Sequence, residues 1–374
     1  MIDPLYTRLC ELLGCRYPII QTAMGWVSTP QLVAAACNAG AFGFLACAVM
    51  GAREAGAAID LTRTLTDRPF GVNFHMFQPG ALEMVDMLIR KRVPAVSFGR
   101  GPDRKLIARL QQAGIRCVPT VGAVKHALKM AELGVDMVVV QGGEGGGHTG
   151  SVAGTVLLPQ VLDAVQLPVV AAGGYADGRG LVAALAFGAC GIAMGTRFLL
   201  TRESPVPLQT KQCYLKASTD DILVTDRLDG VPQRMIRNRC VARLEHAGRL
   251  RMAATALVST LRLKKLTRAS WGELIRSARE MRRAGHSTST LATLTRALMA
   301  ASAPVLIRRA VQEGVPDEGI MATGLVAGRL DDLPECEELV QRIVREAYGR
   351  LSRLGVCVPQ ESYVHRYSNS LQNR

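Results

Sequence analysis

Aromatic residues are scarce: Phe, Trp and Tyr make up 5% of the 374 positions. A stacking platform for single-stranded nucleic acid needs exposed rings, so that function is disfavoured. None of the ten cysteines belongs to a Cys-x-x-Cys pair. Zinc ribbons and thioredoxin-like redox sites therefore lack their spacing. There is no His-x-x-x-His and no carboxylate cluster, and no metal is expected. A Gly-x-Ser-x-Gly nucleophile elbow is also missing. No apolar run reaches the ~18 residues of a membrane span. The segment Met1–Gly14 carries Asp3 and Glu11 and has no secretory pattern. Several cysteines sit in apolar runs, as in Ala36-Cys37 and Ala46-Cys47-Ala48. They read as small buried hydrophobes in a reducing compartment, so the expected location is the cytoplasm.

What is abundant is apolar and small. The hydrophobic fraction is 48%, the charged fraction 20%, and glycine numbers 37. A sizeable core is implied and wholesale disorder excluded. The first two hundred residues repeat one unit, in which a short apolar run ends in a small or polar residue and a helical stretch follows. The strand candidates are Tyr17–Ala23, Phe42–Ala46, Phe70–Phe74, Ala95–Phe98, Arg116–Val121, Asp136–Gln141, Pro168–Ala172 and Gly191–Met194. Runs such as Val138-Val139-Val140 are apolar on both faces, as in strands covered on both sides. Alternating strands and helices imply parallel strands joined by right-handed crossovers. Eight such units close into an α/β (β/α)8 (TIM) barrel. An open dinucleotide-binding sheet would carry Gly-x-Gly-x-x-Gly after its first strand, where this chain reads Thr22-Ala23-Met24-Gly25-Trp26.

After Thr201 the rhythm stops. Lys211–Thr260 and Leu261–Arg309 read as helices with few strand signals. Glu318–Gly328 and a helix over Glu335–Leu351 look like a return to the first domain, and the tail Pro359–Arg374 is polar. The expected division is a barrel over 1–210, an inserted helical substrate or lid domain over 211–315, and a returning segment over 316–374. The net charge of +14 sits in one place: between Arg234 and Arg309 there are 17 Lys and Arg against three acids, Glu245, Glu273 and Glu280. That is either a solvated helical face or a surface for an anionic partner. With Trp271 as the one aromatic residue there and no nucleic-acid motif, a phosphate-bearing small molecule is favoured and no nucleic acid is expected.

In a barrel the working face is the set of loops at the C-terminal strand ends. The seventh strand candidate ends in Ala172-Gly173-Gly174 and the eighth in Gly191–Arg197, through Gly195-Thr196. Glycines there let backbone N–H groups close on an anion, and loops after strands seven and eight commonly hold phosphate. The sixth ends in Gln141–Gly150, ten residues of which six are glycine, with His148 inside. A histidine on a flexible ligand-facing loop can move a proton near neutral pH. Asn73 ends the third strand and offers a paired donor and acceptor to a planar heterocycle. Thr22–Met24 and Thr120, at the first and fifth strand ends, complete a pocket floor for a ligand of flavin size.

Gln21–Val27, Pro69–Asn73, Gly145–His148, Ala171–Gly174 with Asp177–Gly180, and Met194–Phe198 together resemble the nitronate monooxygenase (2-nitropropane dioxygenase-like) family. The likeness covers roughly residues 5–205 and 319–340. It implies an FMN-binding (β/α)8 barrel with an added helical domain, in a group that includes flavin enoyl-ACP reductases and NADH:quinone reductases. Carried over position by position, His148 matches the catalytic histidine. Thr22, Ala23, Met24 and Asn73 match residues around the flavin ring. Gly173, Gly174, Gly195 and Thr196 match the phosphate loops. Thr120, Gln141, Gly142, Gly147 and Ala172 complete the expected cofactor set. Some nitronate- or quinone-active members have Lys at the position of Thr120 and Asp-Gly at that of Gln141-Gly142, so the charge around the flavin differs here. A branch linked to breakdown of the steroid C and D rings resembles the chain more closely. The similarity lies at Gln141–Gly150, Asp229–Arg234, Trp271 with Ile275-Arg276, and Met299-Ala300. That likeness implies an FMN-dependent oxidoreductase acting beside a carbonyl of a CoA thioester. NAD(P)H is implied as donor or acceptor and a homodimer as the assembly. Nitronate monooxygenase or NAD(P)H:quinone reductase activity is the alternative, and a flavin- and nucleic-acid-binding protein the remote one.

Overall fold

A computed structural model describes residues 3–78, 80–99, 101–246 and 303–356. Eight parallel strands close into a barrel. They are β1 (Ile19–Gln21), β2 (Phe42–Ala46), β3 (Gly71–Asn73), β4 (Ala95–Phe98), β5 (Arg116–Val121), β6 (Val138–Gln141), β8 (Val169–Ala172) and β9 (Ile192–Met194). Their order round the barrel is their order in the chain, and β9 closes on β1 with Ile20 opposite Ala193. Every one of the eight strand candidates is present. The second, fourth and fifth keep their expected bounds, and the other five are shorter by one to four residues.

The barrel interior is a core of its own. Ile20, Phe42, Phe44, Val118, Val139, Val170 and Ala193 fill it, and Leu9, Cys10 and Leu13 of the helix Arg8–Leu13 plug its lower end. Phe42 and Phe44 meet edge to face at 5.1 Å. Gly71 makes room for them: a Cβ there would lie 2.3 Å from the Phe44 ring. The larger core lies between strands and helices, where Leu181 and Ala184 of the helix Gly178–Phe187 meet Leu339, Val340 and Ile343 of the helix Cys336–Arg353. These two helices pack closely enough that a Cβ on Gly178 would strike the Ala347 nitrogen at 2.5 Å. Asp177 caps the first of them, accepting from the Arg179 and Gly180 N–H groups. The returning helix is thus part of the barrel's outer layer.

The region after Thr201 departs from the all-helical expectation. Leu208–Lys216 and Arg239–Glu245 are helices. Between them lies a hairpin, β10 (Ile222–Thr225) and β11 (Gln233–Ile236). Ile222-Leu-Val-Thr is itself a strand-forming run, outweighed in the sequence by the arginine-rich surroundings. A third strand, β7 (Gly147–His148), joins this sheet, with Gln233 opposite His148. The glycine-rich loop is therefore pinned at its far end and is not the flexible loop expected. Leu228, Met235, Val241, Leu244, Leu306 and Ile320 form a small separate core beneath the hairpin. The charged stretch 247–302, with Trp271, Ile275, Arg276, Met299 and Ala300, and the tail 357–374 lie outside the described residues.

Six cysteines, Cys10, Cys15, Cys37, Cys47, Cys117 and Cys336, are buried, and all nine described ones are free thiols. Burial pushes Cys37, Cys47 and Cys117 up to about 12, which keeps them as inert packing groups. Among the described residues no helix is long and apolar enough to cross a membrane, and no cluster of His, Cys, Asp or Glu could hold a metal ion.

Candidate active site at the barrel mouth

At the end of β1 the Gln21 side chain is fully buried, and its amide donates to the Thr22 carbonyl at 2.5 Å and to Ser28 Oγ at 2.8 Å. Ser28 Oγ accepts in turn from the Met24 N–H at 2.9 Å. The turn Thr22-Ala23-Met24 is thereby held against the strand. Its Thr22 and Met24 side chains face Gly195 of the last loop: a Cβ on Gly195 would lie 3.2 Å from Thr22 and 3.5 Å from the Met24 sulfur. Trp26 follows in the left-handed region at φ 67 and donates its indole N–H to the Pro304 carbonyl at 3.2 Å. The Gln21 carbonyl oxygen Oε1 is buried and has no donor among the described residues.

Across the mouth, Asn73 donates its amide to the Ser97 carbonyl and hydroxyl, at 3.1 and 3.0 Å. Both amide hydrogens are so committed, leaving the carbonyl oxygen as the group free to meet a ligand. The paired donor and acceptor expected from the sequence is reduced to an acceptor. Thr120 is half-buried on β5 beside Val139 of β6. Among the described residues no side-chain hydrogen bond joins Asn73 or Thr120 to the glycine loops.

The loop after β6 is stitched from several sides. Gly142 N–H donates to the Ala172 carbonyl at 3.0 Å, and Gly143 N–H to the Val152 carbonyl at 2.6 Å. Arg234 of β11 donates to the carbonyls of Gly143 and Gly145, at 2.5 and 3.2 Å. Glu144 accepts the Gly154 N–H, and its own carbonyl accepts the Leu325 N–H at 3.0 Å. Gly173 and Gly174 adopt φ 96 and 82, where glycine is the fitting residue. A Cβ on Gly173 would come within 3.1 Å of the Gly145 nitrogen. Thr196 Oγ1 accepts the Gly324 N–H at 3.0 Å. Thr323-Gly324 of the return segment thus lies between the glycine loop and the last barrel loop.

His148 faces outward at the far end of the glycine loop. Its Nε2 lies 2.5 Å from Asp229 Oδ2, its side chain is 48% exposed, and that of Asp229 is 12% exposed. Burial works to raise the Asp229 pKa. Hydrogen bonds from His148, Gln233 and the Val231 N–H outweigh it and hold the carboxyl below the usual carboxylate range.

The structure therefore gathers Thr22, Met24, Gly142, Gly147, His148, Ala172, Gly173, Gly174, Gly195 and Thr196 along one side of the mouth, with Gln141 donating to the His148 carbonyl at 2.8 Å. Asp229, Arg234 and Gly324 are additions that sequence reasoning left without a role. Two surface clefts of about 570 and 600 Å3 lie elsewhere, one by Arg8, Arg116 and Cys190 at the lower end, the other by Arg202, Lys211 and Leu333. Neither includes an expected site residue.

A closed (β/α)8 barrel with glycine-rich loops at the C-terminal strand ends, one of them carrying a histidine paired with a carboxylate, is the frame of a barrel enzyme. The model of the nitronate monooxygenase family matches residues 6–87 and 81–346, and the chain belongs to that family. It is an oxidoreductase of flavin-enzyme type. A Rhodococcus jostii protein is 47% identical over 354 residues, 95% of this chain and 99% of its own length. It is named (3aS,4S,5R,7aS)-5-hydroxy-7a-methyl-1-oxo-octahydro-1H-indene-4-carboxyl-CoA dehydrogenase. A Mycobacterium tuberculosis protein of the same name is 46% identical over 95% of this chain and 99% of its own. Among solved structures, FabK from Thermotoga maritima superposes with a TM-score of 0.75 at 32% identity, covering 93% of this chain and 98% of its own.

Proposed function

We propose that the protein is an FMN-dependent dehydrogenase of a CoA thioester bearing a fused, oxidised indane ring system. The observation that carries this reading is the 47% identity, across 95% of the chain, with the Rhodococcus indene-carboxyl-CoA dehydrogenase. The site fits FMN. Gly173, Gly174 and Gly195 would form the phosphate cradle, with Thr196, whose hydroxyl accepts the Gly324 N–H, beside it. Thr22, Ala23, Met24, Gln141, Gly142, Gly147 and Ala172 would line the flavin with Thr120, while the Asn73 carbonyl offers an acceptor. Bound flavin supplies a two-electron acceptor for hydride.

The chain's own part is to orient the substrate and move a proton. His148 removes the proton from the carbon next to the thioester carbonyl, a contribution of about 10²–10⁴-fold for a positioned base. The arginine-rich stretch within 211–315 serves the CoA phosphates, since it holds 17 basic against three acidic residues. We take 1–210 with 316–374 as the barrel, and NAD(P)H, a homodimer and a cytoplasmic location as parts of the same proposal. Nitronate oxidation is the second reading, supported by the family match over residues 6–346.

The test is anaerobic bleaching of the yellow holoprotein with a panel of indane-carboxyl-CoA esters, simple acyl-CoA esters, propionate 3-nitronate and quinols. Bleaching by the indane esters at the highest kcat/KM is expected. In His148→Ala that bleaching should slow at least 100-fold with the flavin retained. Bleaching by the nitronate alone would refute the acyl-CoA reading.

A further inference from the structure

The hairpin β10–β11 does not belong to the barrel, yet it reaches the mouth at one point. β11 pairs antiparallel with β7, Gln233 opposite His148 and Arg234 opposite Gly147. Thr149 N–H donates to the Pro232 carbonyl at 3.1 Å, and Gln141 holds the His148 carbonyl from the other side. The backbone around His148 is thus fixed by β11, distant in sequence, and by Gln141 seven residues before it. The hairpin's turn then folds back so that Asp229 meets the imidazole. Gly230 takes φ 82, which lets the Val231 N–H return to Asp229 Oδ1 at 3.0 Å. One carboxylate oxygen is bound to the turn, and the other lies 2.5 Å from His148 Nε2. Eighty-one residues separate the pair.

The geometry points to Asp229 as the positioning residue of His148: it holds Nε2–H, and the proton that the reaction moves passes through Nδ1. This rests on the function proposed above. A carboxylate on one ring nitrogen selects the tautomer and leaves the other nitrogen with its lone pair as the base. In the dehydrogenation, Nδ1 takes the proton from the carbon α to the thioester carbonyl. The C–H electron pair would become the new carbon–carbon double bond, and bound oxidised flavin would supply the two-electron acceptor for the hydride lost from the adjacent carbon. The imidazolium so formed has its charge directly against the Asp229 carboxylate, and it returns its proton to solvent water.

Other charged groups on the elements packed here have different partners or positions. Glu144 accepts the Gly154 N–H, and Arg234 serves the Gly143 and Gly145 carbonyls. Asp226 and Arg227 are exposed on the hairpin turn, and Arg237 is exposed beyond β11. Asp229 is the carboxylate within hydrogen-bond reach of the ring.

Two measurements test this on the full-length holoprotein. In the first, 15N-histidine spectra of the unaltered protein report which His148 nitrogen carries hydrogen. Hydrogen on Nε2 is expected at neutral pH, and hydrogen on Nδ1 alone would overturn the assignment whatever any variant does. In the second, kcat and KM for the indane-carboxyl-CoA ester are followed across pH. Asp229→Asn should lower kcat about 10–100-fold, as loss of a ligand-orienting partner commonly does, with KM changed less than about twofold. Asp229→Glu should recover part of kcat. A normal kcat in Asp229→Asn, beside an inactive His148→Ala, would leave Asp229 a mere latch and refute the inference. An active His148→Ala would instead remove the proposed function on which it rests.

Discussion

Gly146 is where the return segment crosses the glycine loop, and Gly146→Ala tests whether that crossing closes the site. A Cβ at this position would lie 2.5 Å from the Thr323 carbonyl carbon, 2.7 Å from the Gly324 nitrogen and 2.9 Å from the Thr323 oxygen. All three are backbone atoms, so no side chain can swing aside. The crossing must open by roughly 1 Å to restore ordinary contact near 3.5 Å. One hydrogen bond spans it, Leu325 N–H to the Glu144 carbonyl, and Gly324 N–H to Thr196 Oγ1 ties the displaced segment to the last barrel loop, both at 3.0 Å. At about 1 kcal/mol each, with some cost for the groups left unpaired, the loss is about 2–3 kcal/mol. For a chain of this size that is a fall of roughly 2.5–4 °C in Tm. Because Thr196 belongs to the proposed phosphate loop, flavin affinity should fall with it, about tenfold for each 1.4 kcal/mol lost there. The assay is thermal unfolding of the holoprotein read by intrinsic and released flavin fluorescence. A Tm within about 1 °C of the parent protein, with flavin retention unchanged, would show that the return segment does not hold the loop.

Lys211 is buried, and its ammonium donates to the carbonyls of Thr201 at 2.6 Å and Ser204 at 2.8 Å. Lys211→Met keeps the length of the side chain but orphans both acceptors, and should cost about 2–4 kcal/mol in urea unfolding with flavin binding unaltered. Acid should loosen the barrel's outer layer through the helix cap Asp177. Burial opposes ionisation of that carboxyl, but Arg179, the Gly180 N–H and Arg329 outweigh it and hold the pKa at about 2, against a reference of 3.8. A lowered folded pKa means that the cap's contribution is present above pH 3.8 and is lost as pH falls towards 2. Asp177→Asn should therefore be less stable than the parent protein at pH 5, with the gap narrowing as pH approaches 2. A gap that stayed constant over that range would contradict the linkage.

The barrel strands were legible because a strand covered on both faces is apolar along its whole length. Val138–Val140 and Val169–Ala172 need no alternation to be seen, and all their residues are buried. The helix Gly178–Phe187 was legible from its cap, Asp177, and its closing glycine, Gly188, at φ 101. The hairpin was less so. Ile222–Thr225 has Val224 exposed at 44%, and charged neighbours mask its short apolar signal. For the site, the glycine pairs and His148 were visible as residue types at strand ends. The motif Asp229–Arg234 stood out only by likeness, without a role for either charged residue.

Taken alone, the amino-acid order determined the number of barrel strands, their succession round the barrel and the place of the glycine-rich loops, because local apolar patterning and chain connectivity dictate all three. It also set which histidine stands at a strand end. Only the tertiary structure decided that β7 pairs with β11, that Thr323-Gly324 crosses the glycine loop, and that Asp229 meets His148. Each of these contacts joins segments far apart in the chain. Backbone pairing across such distances depends on how the barrel, hairpin and return segment pack together, and no spacing in the sequence encodes it.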